Sequence, residues 1–248
     1  MLEVDIKKRL PDFDLEISFA CKKGELGVFI GPSGAGKTTL IRIIAGLERP
    51  DQGYIAYDGK IWVDTRRRIF LPPQKRHLGY VFQDYTLFPH LTVYQNVAFA
   101  SMDQGEIEAL LKFFGIWHLR NSMPDKISGG ERQRAAICQN LARHPQVLLL
   151  DEPFSALDFP IRKRLRQEFK ALKKNLAFPT VYVTHDLTEA LFLGDNVMPI
   201  VNGRHEPAWL SNQLEDVMDD YKWMGRFFDS YVPKKPYGYP ASESQGRR

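Results

Sequence analysis

Three short stretches carry side chains suited to phosphate chemistry. The first is GPSGAGKTT, comprising Gly31, Pro32, Ser33, Gly34, Ala35, Gly36, Lys37, Thr38 and Thr39. Its first eight residues fit G-x-x-x-x-G-K-[ST], and they lie between the apolar run LGVFI and the amphipathic KTTLIRIIAGL. Glycines let the backbone curl until successive N–H groups face one anion, and the following helix adds the positive end of its dipole. Lys37 can then neutralise the β- and γ-phosphates of a nucleotide, and the Thr38 hydroxyl can ligate Mg²⁺. The second stretch, VLLLDE, is an apolar strand ending in Asp151 and Glu152, at the strand edge where open α/β sheets place ligand chemistry. Asp151 is the expected Mg²⁺ partner through water, and Glu152 the expected general base or water-positioner for attack on the γ-phosphate. The third, TVYVTHD, is a strand ending in His185. Alone, each has a plainer reading: a ligand-free glycine turn, a solvated carboxylate pair, a core or surface histidine.

Positioning these groups requires a sheet. DLEISFACK alternates Leu15, Ile17, Phe19 and Cys21 against polar neighbours, the period of a half-buried strand, and predicts antiparallel pairing near the start. YIAYDGKIWV predicts a hairpin turning at Asp58-Gly59. LGYVF, VLLLDE, TVYVTHD and NVMPIV read as further strands, and residues 84–144 read as helical. In KTTLIRIIAGL the residues Leu40, Ile43, Ile44 and Leu47 share one helical face. Strands alternating with helices imply a mostly parallel sheet covered on both faces. One more helix is expected after Asn212, and fraying beyond Pro233, where the tail is proline-rich and polar.

Composition narrows the classes. The balance of 34 basic against 30 acidic residues is too mild to indicate a nucleic-acid partner, and none is expected. The basic run RKRLRQEFKALKK places Leu165, Phe169 and Leu172 at helical spacing, so a solvated face opposite a buried one accounts for it. Cys21 and Cys138 lack metal or redox spacing and are expected to be buried hydrophobes. No apolar run approaches the ~20 residues that span a bilayer, and no secretory leader is visible, so a cytoplasmic protein is expected.

Taken in order, the phosphate loop, VFQD with Gln83, ISGGERQR with Ser128, Gly129 and Gly130, LLLDEP, SALD with Asp158 and VTHD with His185 resemble the nucleotide-binding subunits of ATP-binding cassette (ABC) transporters. The resemblance runs from Met1 to about Gly203. It implies a P-loop NTPase (RecA-like) α/β core with a mostly parallel sheet (1–83 and 145–210), an N-terminal antiparallel β subdomain, an inserted helical subdomain (84–144) and a C-terminal helix with a flexible tail (211–248). It implies ATP and Mg²⁺ as ligands, Gln83 touching Mg²⁺ and the attacking water, and His185 contacting the γ-phosphate. The Ser128-Gly129-Gly130 turn would open a helix facing the triphosphate bound by a second copy of the chain, and Asp158 would work across that dimer interface. Two departures stand out: Ile127 and Glu131 replace the Leu and Gln of many members, and no aromatic residue is obvious for adenine stacking, with Phe13 the candidate.

Within the family, the short spacing from Gln83 to Ser128 leaves no room for the coiled-coil insertions of chromosome-maintenance relatives. A single phosphate loop argues against tandem cassettes. Separate integral-membrane permease subunits are then implied, two of them, with a substrate-binding protein acting indirectly, and a location on the cytoplasmic face of the membrane. The segment QDYTLFPHLTVYQNV, rich in Tyr85, Leu87, Phe88, His90 and Leu91, resembles the segment where importer cassettes receive a short permease helix; the plainer reading is that these residues fill the helical subdomain's own core. IFLPPQKRHLGYVFQDYTLFPH and SGAGKT look most like ATPases of molybdate or tungstate importers, inside a group that also handles sulfate, ferric iron and polyamines. The small C-terminal regulatory domain of many such proteins is not expected. A soluble cassette regulating a macromolecular partner and a phosphate-loop kinase remain as alternatives, and the kinase leaves ISGGERQR unexplained.

Overall fold

The computed structural model describes residues 1–82, 87–101, 103–155, 157–173 and 176–215. Alternating apolar residues set up β1 (Leu2–Arg9) and β2 (Asp14–Cys21), which pair antiparallel from Leu2↔Cys21 to Arg9↔Asp14. On its other edge β1 pairs with β4 (Gln52–Tyr57), which turns back into β5 (Lys60–Asp64) and then β6 (Ile69–Phe70). The expected hairpin forms at Asp58 and Gly59, both left-handed at φ 51 and 79, as a type I′ turn requires.

Four apolar runs build the parallel part: β3 (Leu26–Ile30), β7 (Leu78–Val81), β8 (Val147–Asp151) and β9 (Thr180–Thr184). All residues of β3, β8 and β9 are buried, the pattern of strands covered on both faces. Joined by β10 (Asn196–Val201) and β11 (Arg204–His205), they complete one eleven-stranded sheet in the order β6-β5-β4-β1-β2-β11-β10-β3-β9-β8-β7. Its antiparallel wing meets the parallel part through β11 and β2, which share one ladder pair, Arg204↔Glu16, and a bond from the Glu16 amide to the Gly203 carbonyl at 2.8 Å.

Helix α1 (Lys37–Ala45) follows the glycine loop with Leu40, Ile43 and Ile44 buried. Leu47 departs from the expected face: Gly46, left-handed at φ 81, ends the helix, and Leu47 lies beyond it at 48% exposure. Residues 87–144 carry α2 (Val93–Ala98), α3 (Gln104–Phe113) and α4 (Gly129–Leu141). Asn96 is fully buried and pins the preceding turn, donating to the carbonyls of Phe88, Leu91 and Thr92 and accepting from the Phe88 amide. Helix α5 (Phe159–Lys173) buries Leu165 and Phe169 under its basic outer face, and α6 (Leu187–Leu193) follows β9. Both cysteines are buried and free.

Compactness divides the chain into Met1–Glu206 and Pro207–Arg248. In the second unit, residues 207–215 are helical, so this helix begins earlier than the expected Asn212. Residues 216–248, with the expected tail, and Gln83, Asp84 and Tyr85 lie outside the described residues. No described helix is long and apolar enough to cross a membrane.

Candidate active site

Parallel register gathers the three chemical stretches. Ile30 pairs with Thr184, and Asp151 with Val183, so Gly31, Glu152 and His185 leave neighbouring strands at the same sheet edge. They surround a cavity of about 630 Å³ lined by Ser33, Gly34, Gly36, Lys37, Thr38 and Thr39 from the loop, by Glu152 and His185 beyond the strands, and by Ser155 and Leu10.

The loop is shaped by its glycines. Gly34 and Gly36 are left-handed at φ 80 and 95, and Gly36 is the N-cap of α1. Gly31 answers a different need, since a Cβ there would lie 1.9 Å from the Ile200 carbonyl oxygen of β10. Pro32 and Ala35 close the turn through the Ala35 amide and the Pro32 carbonyl at 3.2 Å. Lys37 is 4% exposed and donates to the carbonyls of Gly31 and Pro32, both at 2.8 Å. Burial lowers the pKa of its ammonium, opposed by the charges of Glu152 and Asp151.

The two acids have different surroundings. Asp151 is 2% exposed and accepts from Thr38 Oγ1 at 3.1 Å and from the Tyr80 hydroxyl at 3.2 Å. Burial raises its carboxyl above the usual range against the pull of those two donors, and Glu152 adds to the rise. Glu152 stands at φ 46, a left-handed strain that non-glycine residues carry mostly where surrounding structure imposes it. Ser155 supplies part of that restraint, giving its amide and hydroxyl to the Glu152 carbonyl at 3.2 and 2.9 Å. The Glu152 carboxylate lies 3.0 Å from His185 Nδ1, a contact in which an ionised carboxylate can only accept. His185 remains half exposed while Glu152 is mostly covered.

Thr38 and Asp151 together offer two hard oxygen donors, and no cluster of three or more His, Cys, Asp or Glu residues able to hold a metal occurs among the described residues. That sparse oxygen set fits Mg²⁺, which keeps several waters and shares phosphate oxygens, better than it fits zinc.

Other expected residues stand apart from the cavity lining. Ser128 is the N-cap of α4 and forms a capping box with Glu131: its hydroxyl accepts the Glu131 amide, and the Glu131 carboxylate accepts the Ser128 amide at 2.8 Å. Gly129 and Gly130 begin that helix, with Gly130 against Ile161 and Leu157. Asp158 is exposed, and its carbonyl accepts the Arg162 amide at the start of α5. Phe13 comes close without lining the cavity. Its ring lies 3.5 Å from where a Cβ on Gly36 would stand and packs also beside Gly203, whereas Leu10 of the same β1–β2 connection does reach the cavity. Leu10, which lines the cavity, and Tyr80, bonded to Asp151, are neighbours of the site that the sequence patterns omit.

The sequence profile described as ABC transporter matches residues 15–155. Among curated relatives, the molybdate/tungstate import ATP-binding protein WtpC of Pyrococcus abyssi is 44% identical over 82% of this chain and 60% of its own length. The trehalose/maltose import ATP-binding protein MalK of Thermococcus litoralis is 43% identical over 76% of this chain and 53% of its own. Proteins named for molybdenum import recur among the relatives, and the chain spans between half and two thirds of the length of these matches. Among solved structures, a dimeric ATP-binding cassette in a post-hydrolysis state with ADP and Pi superposes with a TM-score of 0.69 and 28% identity, covering 83% of this chain and 97% of that one. With the profile spanning more than half of the sequence, and the phosphate loop, Glu152 and His185 gathered at one cavity, the chain belongs to the ABC transporter family.

Proposed function

We propose that this chain is the ATP-hydrolysing subunit that powers an ABC importer. The observation that carries the reading is the convergence of the glycine loop, Glu152 and His185 on one cavity, with the buried Asp151 bonded to the lining Thr38. In this reading ATP places its phosphates on the loop amides and Lys37. Thr38 and Asp151 hold Mg²⁺ with Gln83, and when bound the ion neutralises phosphate charge. Glu152 takes the proton of the attacking water, and His185 holds the Glu152 carboxylate and contacts the γ-phosphate. Ser128, Gly129, Gly130 and Asp158 serve the site of a second copy, because on their own chain they do not line the cavity. Two permease subunits at the cytoplasmic face of the membrane receive the motion, and a substrate-binding protein delivers the cargo to them. An oxyanion such as molybdate or tungstate is the favoured cargo, following the printed names of the relatives; no atom of the cavity bears on that choice.

Glu152→Gln tests the assignment. The variant is expected to keep MgATP binding, to lose phosphate release by roughly 10²-fold or more, and to accumulate as an ATP-dependent dimer in size-exclusion chromatography. Undiminished turnover would remove Glu152 from the role of base.

A further inference from the structure

A carboxylate at the end of a strand can rotate about its Cβ–Cγ bond unless both oxygens are held. Both are held at Asp151. Oδ1 accepts from Thr38 at 3.1 Å and Oδ2 accepts from Tyr80 at 3.2 Å. Since an ionised carboxylate can only accept, the phenol must be the donor.

Tyr80 reaches Asp151 through sheet register. It lies on β7 opposite Leu149 of β8, two residues before Asp151, and residues two apart on a strand share a face. The ring has little freedom. It is 7% exposed, it stacks on Phe82 with centroids 3.8 Å apart, and its own amide donates to the buried Asn140 side chain at 2.9 Å. A rigid donor therefore meets the oxygen that Thr38 leaves open. Packing alone would need only the ring, and the hydroxyl is what binds the acid.

We infer that Tyr80 is a positioning residue for the metal half of the site: acting through Asp151, its hydroxyl sets the plane of the carboxylate that, with Thr38, receives a divalent cation. The inference rests on the nucleotide-and-magnesium reading above. Groups that hold a metal-binding carboxylate in place are commonly worth ~10–100-fold in metal affinity.

Tyr80→Phe removes one oxygen and keeps the ring. In the full chain, Mn²⁺ binding in the presence of a non-hydrolysable ATP analogue, followed by electron paramagnetic resonance, is expected to weaken by about tenfold. Binding of the analogue without divalent metal should stay near the wild-type value, while the thermal midpoint falls by the modest amount that one unpaired buried acceptor costs. In an Asp151→Asn background the same change should cost nothing further, because the residue through which it acts is gone. Unaltered Mn²⁺ affinity, a parallel loss of metal-free nucleotide binding, or a full second loss on top of Asp151→Asn would each overturn the inference. Failure of the wild-type chain itself to bind Mn²⁺ and nucleotide would instead overturn the functional reading.

Discussion

Glu152 and Cys21 show how differently this fold treats its reactive side chains. Glu152 sits in a left-handed backbone held by Ser155 and aimed at the cavity; Cys21 is 1% exposed at the end of β2. Burial pushes the Cys21 thiol up from an ordinary 9.0 to about 11, with Glu25 adding to the rise, and pushes Cys138 up as well. A raised folded-state value means that the neutral thiol is favoured in the native protein. The stability this contributes is therefore complete below pH 9 and is lost as pH climbs toward 11. Native protein at pH 8 is expected to resist iodoacetamide at both cysteines and to react at both in denaturant; rapid native labelling would contradict the burial. The phosphate loop and strand-end acids could be read from sequence because their chemistry is local, carried by consecutive residues. Tyr80 and Leu10 could not, because register and loop path bring them to the site from elsewhere. The Phe13 ring packs beside Gly36 and Gly203 at the edge of the phosphate loop.

Among the elements, α1 is secured at both ends. The glycine loop forms its start, and Arg76, fully buried, holds its finish by donating to the carbonyls of Ile43 at 3.0 Å, Ile44 at 2.7 Å and Leu71 at 2.8 Å. The guanidinium also lies over the Phe70 and Trp62 rings at 5.1 and 5.6 Å. A cation at a helix C-terminus opposes the negative end of the dipole, and burial lowers this one only to about 10, so it stays charged at neutral pH. Arg76→Met should cost about 2–4 kcal/mol in urea unfolding, the scale of leaving several buried acceptors unpaired. A midpoint equal to the wild type would show that water replaces the guanidinium. Element starts and stops were legible where one residue decides them, as at Asp58-Gly59. Asn202-Gly203 is an equally local turn signal, with both residues at positive φ, but the strand it opens, β11, has two residues and is too short for any alternation to announce it. Leu47 fits the helical period of α1, yet Gly46 stops the helix one residue earlier.

At the scale of the whole molecule, the functional reading predicts complementation. Ser128 begins a helix away from the cavity that holds Lys37, so in a symmetric dimer each nucleotide would meet the loop of one chain and the α4 start of the other. Lys37→Ala and Ser128→Glu should each be inactive alone. Mixed, they should recover up to roughly a quarter of wild-type phosphate release, because half of randomly paired dimers regain one of two sites. No recovery, with mixed dimers demonstrably formed, would mean that the sites do not pair in this way or do not work singly.

The meeting of β11 with β2 has a bearing on how the cavity takes its guest. Leu10, which covers one side of it, hangs from the antiparallel wing, while the glycine loop, Glu152 and His185 belong to the parallel strands. Between these two walls the ladder narrows to a single residue pair. The two walls of the cleft are thus joined through the sheet's sparsest ladder, so a change in the angle between them would break the fewest strand hydrogen bonds and would leave Glu152 and His185 on their own strands undisturbed.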